Sequence, residues 1–137
     1  MKMNHDCIRD VLLVLESKLT VTVCEDGLII LGDASIDDLY ASLPAYTKED
    51  VIYSLLILED GGFIALRKLN SMSGIVRCDV MQITYVGHEF LNQIRDSSRW
   101  STIKKATSAV RDYSLDAIRS IAEGVTAAAI SAYFKEQ

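Results

Sequence analysis

Residues 47–91 are TKEDVIYSLLILEDGGFIALRKLNSMSGIVRCDVMQITYVGHEFL, and this stretch decides the fold. Thr47 can cap a helix whose first turn carries Glu49 and Asp50, where negative charge favours a helix N-terminus. The pair Gly61-Gly62 can end that helix in a left-handed conformation. The stretch therefore begins with a helix over roughly twelve residues.

After the glycines the pattern changes from helical to extended. Residues 63–68 and 75–83 are rich in strand-forming side chains, and residues 70–74 between them have the composition of a hairpin tip. Thr84 can then cap a further helix. A helix, a hairpin and a second helix in this order are the second half of a winged helix-turn-helix.

The residues before this stretch predict two more helices. Asn4 can cap a first helix that ends near Lys18, and Ser35 can cap a short second helix over residues 36–42, which Pro44 closes. We expect the core-facing side chains of the short helix to be Ile36, Leu39, Tyr40 and Leu43.

Between these helices the sequence predicts an additional hairpin. Residues 19–23 and 28–31 are strand-like, and Asp26-Gly27 is a common hairpin turn. The predicted fold class is α+β: a winged helix-turn-helix with an extra N-terminal hairpin and a C-terminal helical extension. We place the winged-helix domain at residues 1–107 and the extension at residues 108–137.

Two segments resemble a known family. Residues 3–13, MNHDCIRDVLL, and residues 87–96, GHEFLNQIRD, followed by Trp100, Ile103 and Lys104, are similar to an uncharacterised bacterial and prophage-borne family, domain of unknown function 2513. The resemblance covers roughly residues 3–105. It implies a winged helix of bacterial or phage origin and no known activity.

The C-terminal extension contains a regular apolar seam. Ser114 can cap a helix in which apolar residues recur every three or four positions: Leu115, Ile118, Ala122, Val125, Ala129 and Ala132. The seam can pack on its own domain or join two copies in a homodimer. The uncharged stretch 124–134 is too short to span a membrane, so we expect no membrane role.

Composition argues against catalysis. The chain has 137 residues, two histidines (His5 and His88) that are far apart in the sequence, and three cysteines without a CxxC pair. It carries no phosphate-binding, dinucleotide-binding, nucleophile-elbow or zinc-protease motif. We therefore predict a non-enzyme with no cofactor and no metal. The unpaired cysteines and the absence of a signal peptide favour the cytoplasm.

Charge is distributed unevenly. Between residues 33 and 60 there are seven acidic residues and one basic residue, Lys48, so the local net charge is -6. The predicted outer face of the third helix consists of Glu49, Asp50, Tyr53, Ile57 and Asp60. Carboxylates repel DNA phosphates, so this face favours a protein partner, such as a host nucleic-acid-binding or defence complex that it would inhibit.

The hairpin supports the alternative of a dimeric DNA-binding transcriptional regulator. Arg67, Lys68 and Arg77 place three positive charges on the predicted wing, where they can contact a phosphate backbone. The sequence leaves both hypotheses open, since the fold favours DNA and the charge favours protein.

Overall fold

The structure, a computed structural model, describes residues 1–136. This part of the chain is mixed α+β, as predicted, with helices and two small antiparallel sheets. In chain order the elements are α1 (His5–Lys18), β1 (Thr20–Val23), β2 (Ile29–Gly32), β3 (Ala34–Ser35), α2 (Ile36–Ala41), α3 (Lys48–Asp60), β4 (Ile64–Ser71), β5 (Gly74–Ile83), α4 (Tyr85–Ile94), α5 (Ser97–Val110) and α6 (Leu115–Lys135).

The chain packs as two compact units, residues 1–88 and a second unit that begins at Glu89. Residue 107, where the sequence analysis ends the winged-helix domain, lies within α5. Residue 137, the last of the predicted extension, lies outside the described residues.

The predicted helix starts are confirmed by side-chain capping. Asn4, Ser35, Thr47 and Ser114 each accept a hydrogen bond from the backbone N–H three residues later. A polar side chain that satisfies one of the free N–H groups of the first turn stabilises a helix by about 1 kcal/mol. These starts are therefore encoded locally.

The core of the first unit forms mainly between α1 and α3. The buried face of α1 consists of Cys7, Ile8, Val11, Leu12 and Leu15. The buried face of α3 consists of Val51, Ser54, Leu55 and Leu58. The prediction was wrong for Tyr40 of α2, whose ring is exposed; Leu39 and Leu43 are buried as expected.

The larger sheet has the order β3-β5-β4, so β5 lies at its centre. The sequence did not reveal β3, which has only two residues and pairs Ala34 with Val80 and Ser35 with Asp79. β4 and β5 are also longer than predicted and meet at a tight turn over Met72 and Ser73. The predicted extra hairpin is confirmed as β1 and β2, which form a separate two-stranded sheet.

A hydrogen-bonded junction joins the end of α3 to the start of α4. The Thr84 hydroxyl donates to the Gly62 carbonyl oxygen at 2.6 Å and accepts from the Gly87 N–H at 3.1 Å. The Thr84 N–H donates to the Phe63 carbonyl oxygen at 3.0 Å. Gly87 lies so close to the backbone of Phe63 that a Cβ at this position would overlap the Phe63 carbonyl oxygen and would approach Ile83 Cγ2 to 2.8 Å.

The second unit contains an α5–α6 hairpin in which four of the six seam residues are buried or partly buried. Ile118 and Ala122 of α6 are buried, and Leu115 and Val125 are partly buried. Ala129 and Ala132 are exposed, as are Ile130, Tyr133 and Phe134 nearby. The first part of the predicted seam thus packs within the chain, and only its last turns remain for a homodimer.

The junction generates a stability prediction with an internal control. We expect Gly87→Ala to lower the free energy of unfolding by about 3 kcal/mol or more, because its methyl group would displace backbone atoms. Gly124 lies in an exposed turn of α6 with open space around it, so Gly124→Ala should raise the free energy of unfolding by about 1 kcal/mol. Urea denaturation followed by circular dichroism measures both; equal effects would show that the close approach at Gly87 carries no energetic weight.

Candidate functional site

A concave surface of the first unit is a groove between α3 and β5, which we call the α3–β5 groove. Its volume is about 540 Å³, and the first residues of α2 close one end. The apolar residues of its lining are Ile36, Ile52, Leu56, Ile75, Val76 and Cys78. The polar residues are Ser35, Asp37, Lys48, Arg77 and Asp79. A groove with an apolar floor and a few charged groups is typical of a binding site.

None of the five residues predicted for the outer face of α3 lines the groove, whose residues from this helix are Lys48, Ile52 and Leu56. Tyr53 and Ile57 were expected to be exposed and are partly buried. Ile52 is likewise partly buried, and it lines the groove together with Leu56, one helical turn later. The sequence did contain a signal for a second apolar surface on α3. Seven of the eight residues from Val51 to Leu58 are apolar, which is more than one buried stripe of a helix needs.

The three acids predicted on the outer face of α3 form no ion pairs within residues 1–136. Glu49 and Asp60 are exposed and Asp50 is partly exposed. The outer surface of α3 therefore keeps the negative charge that the sequence predicted.

The three cations predicted to contact phosphate are all held by acids of the chain. Arg67 lies 2.8 Å from Asp33 and 3.5 Å from Asp79, Arg77 lies 2.9 Å from Asp79, and Lys68 lies 2.7 Å from Glu59. Three cations thus meet three acids, and the group has no net charge. The hydrogen bond from Lys68 to Glu59 raises the pKa of the lysine, so it stays protonated.

Asp79 is the structural centre of this group. Its side chain is only 4% exposed, on the central strand β5, and Arg67 is its cross-strand neighbour on β4. A carboxylate taken out of water costs several kcal/mol unless it is paired, and both guanidinium groups satisfy it. We infer that Arg67 and Arg77 are needed for the stability of the hairpin.

Described residues contain no constellation that suggests metal chemistry. In the range 1–136 no group of three or more His, Cys, Asp or Glu side chains is arranged to hold an ion. Every helix in the same range is too short or too polar to cross a bilayer.

Comparison with known proteins places the chain in a family. A family model described as "Hypothetical protein (DUF2513)" matches residues 2–112. The chain belongs to this DUF2513 family. A relative from Haemophilus influenzae, described as "Uncharacterized protein", is 33% identical over 129 residues, which cover 91% of this chain and 95% of the relative. No solved structure matches. The DUF2513 match ends before α6, so the family model does not include the exposed turns of that helix.

The buried carboxylate generates a prediction of non-additivity. We expect Arg67→Ala and Arg77→Ala each to cost about 1 kcal/mol of unfolding free energy, because the other guanidinium remains on Asp79. The double variant should cost about 3 kcal/mol more than the sum, since it leaves a buried charge unpaired. A double-mutant cycle by urea denaturation measures the difference, and strict additivity would contradict the role given to Asp79.

The cysteines provide a second prediction. Burial raises the pKa of the Cys7 and Cys78 thiols, whereas Cys24 lies partly exposed beside the β1–β2 turn. The thiolate is the reactive form, so Cys7 and Cys78 should react slowly with a thiol reagent near pH 7.5 and Cys24 quickly. Cys24→Ser should remove the fast phase alone; a fast phase that persists would mean that Cys7 or Cys78 is accessible.

Proposed function

We propose that this DUF2513 protein is a non-catalytic winged-helix module that binds another protein in the α3–β5 groove. The winged-helix assignment is supported by the order of its elements. Three helices precede the β4–β5 hairpin, a short strand joins that hairpin in a three-stranded sheet, and α4 follows.

The α3–β5 groove is the single observation that carries this proposal. Ile52 and Leu56 on α3 face Ile75 and Val76 on β5 across a concave space, which can receive apolar side chains of a partner. An apolar centre within a charged rim is the usual arrangement of a protein interface.

Charge indicates the kind of partner. The unpaired carboxylates of Glu49 and Asp60 lie on the same helix as the groove lining, so a segment with basic residues beside its apolar anchors would be favoured. Basic surfaces commonly bind nucleic acid. The module would then act by competition, occupying such a surface on its partner.

A dimeric DNA-binding regulator is the second candidate, and α5 favours it. The helix contains Arg99, Lys104 and Lys105 and no acidic residue between Ser97 and Val110. Against it, Arg67 and Arg77 would have to leave the buried Asp79 before they could neutralise phosphate, and that exchange costs energy.

A capture experiment tests the groove directly. The double variant Ile52→Ser/Leu56→Ser removes its apolar floor at two partly exposed positions, and Ile130→Ser removes a comparable side chain from the exposed end of α6. We expect immobilised wild type and Ile130→Ser to retain the same protein from a bacterial lysate and the double variant to lose it. Equal retention by all three would exclude the groove.

Labelled random duplex DNA separates the two candidate functions. Fluorescence anisotropy should show no binding by the protein at about 50 mM or about 200 mM salt, because the hairpin cations are already neutralised. Binding that weakens steeply between these two salts would instead support the regulator.

A further inference from the structure

The α3–β5 groove runs along the edge of β5 and not over one face of the sheet. Its lining includes five consecutive residues of this strand, from Ile75 to Asp79. Successive side chains of a strand point to opposite faces, so a groove over a single face would meet only every second residue. Arg77, Cys78 and Asp79 pair with β4 in regular register, and all three line the groove. The backbone edge of β5 therefore forms one wall.

This edge is open because the short strand β3 ends early. β3 pairs with only two residues of β5, Asp79 and Val80, before the chain turns into α2. Within residues 1–136 no strand pairs with the β3 side of residues 75–78, and no backbone hydrogen bond from a loop or turn reaches them. All of them except Cys78 are exposed. The groove thus begins beside Ser35, where the chain's own strand stops.

The open edge carries backbone groups that no strand satisfies. In an antiparallel pair, one residue exchanges hydrogen bonds with its neighbour and the next directs its N–H and C=O groups away from it. Arg77 and Cys78 are successive residues in regular register with β4, so one of the two directs its backbone groups to the open edge. Such groups are a template for pairing with another chain.

The helical wall of the groove lies on an identifiable face of the sheet. Lys68 is the cross-strand neighbour of Cys78, so their side chains share one face, and Lys68 Nζ lies 2.7 Å from Glu59 Oε1 of α3. α3 therefore lies on the Cys78 face. A strand placed along the open edge would alternate in the same way, with every second side chain directed at the apolar wall that Ile52 and Leu56 provide.

Building on the protein-binding function proposed above, we propose that the groove takes an extended segment of the partner, which pairs with β5 as an additional strand. The segment lies in line with β3 and adopts its antiparallel orientation along residues 75–78. Main-chain hydrogen bonds hold it, and its side chains alternate between apolar, towards α3, and polar, towards the other face.

A helix suits this groove less well than an extended segment does. The N–H and C=O groups of a helix are bonded to one another, so a helix against β5 would cover the open edge without pairing it. Covering an unpaired backbone group costs more than its hydrogen bond contributes when it is made. An extended segment supplies the missing donors and acceptors and fills the apolar wall at the same time.

The charges of the groove assign uncharged residues to the middle of the segment. Lys48 lies 3.1 Å from Asp37, and Arg77 is likewise paired with Asp79, so the charged lining is neutral. The unpaired carboxylates lie near the two ends of α3, whose 13 residues span about 20 Å, the length of about six extended residues. The basic residues expected of the partner therefore belong beyond the ends of the strand.

A phage-displayed library of linear peptides supplies the probe. Peptides of about ten residues are long enough for a strand of ordinary length. Those that bind wild type and Ile130→Ser but not the double variant Ile52→Ser/Leu56→Ser occupy the groove. We expect the selection to yield such peptides, with apolar and polar residues in alternation.

Methylation of single peptide nitrogens then tests the pairing. Only every second N–H of an added strand is donated to β5, so N-methylation should weaken binding about tenfold at alternate positions. The positions between them are the matched controls and should keep the affinity of the parent peptide. Fluorescence anisotropy of the labelled peptides measures each dissociation constant.

Amide hydrogen exchange on wild type gives an independent readout by nuclear magnetic resonance. Whichever of the Arg77 and Cys78 N–H groups faces the open edge should exchange fast in the free protein and become protected when the peptide is added. Because this measurement uses wild type alone, it decides the question even where the double variant does not fold.

The outcomes that overturn the added strand are distinct from failure of the proposed function. Groove-dependent peptides that need side chains three and four residues apart, with no alternating effect of methylation, would show that a helix binds there, and protein binding by the groove would stand. Exchange left unchanged at both residues would exclude pairing with β5. A selection without groove-dependent peptides would exclude an extended occupant, and capture from lysate with the same variants would then decide the proposed function separately.

Discussion

The close approach of Gly87 to the backbone of Phe63 is the constraint on which the first unit depends. It brings the first turn of α4 against the start of β4, and the Thr84 hydroxyl bridges the Gly62 carbonyl oxygen and the Gly87 N–H. The end of α3, the entry to the hairpin and its exit are thereby fixed at one point. The relative position of α3 and β5, and so the groove between them, follows from this junction.

Which charged groups are available for binding depends on which of them form ion pairs within the chain. The sequence suggested an acidic helix and a basic hairpin, which would attract opposite partners. In the folded chain Asp33, Glu59 and Asp79 neutralise Arg67, Lys68 and Arg77, while the carboxylates of Glu49 and Asp60 stay unpaired. Cations that stabilise a hairpin are not freely available to a ligand, whereas the unpaired carboxylates are.

Two apolar surfaces of the first unit have different shapes. The α3–β5 groove is concave and bordered by charge, as expected of a surface for a heterologous segment. The β1–β2 hairpin face formed by Val21, Val23, Ile29 and Leu31 is uncharged and exposed.

The sequence by itself determined the elements, because their signals are local. Capping by Asn4, Thr47 and Ser114 depends on residues three positions apart. Two strand-like segments, residues 19–23 and 28–31, and the Asp26-Gly27 turn between them were enough to predict the extra hairpin. Tertiary structure alone decided which apolar residues of α3 line the groove. Ile52 and Tyr53 are adjacent in an almost continuous apolar run, and periodicity cannot choose between them until β5 leaves a space beside one of them. It also decided that the hairpin cations are paired, since Asp33 and Arg67 are distant in sequence and meet only when the sheet forms.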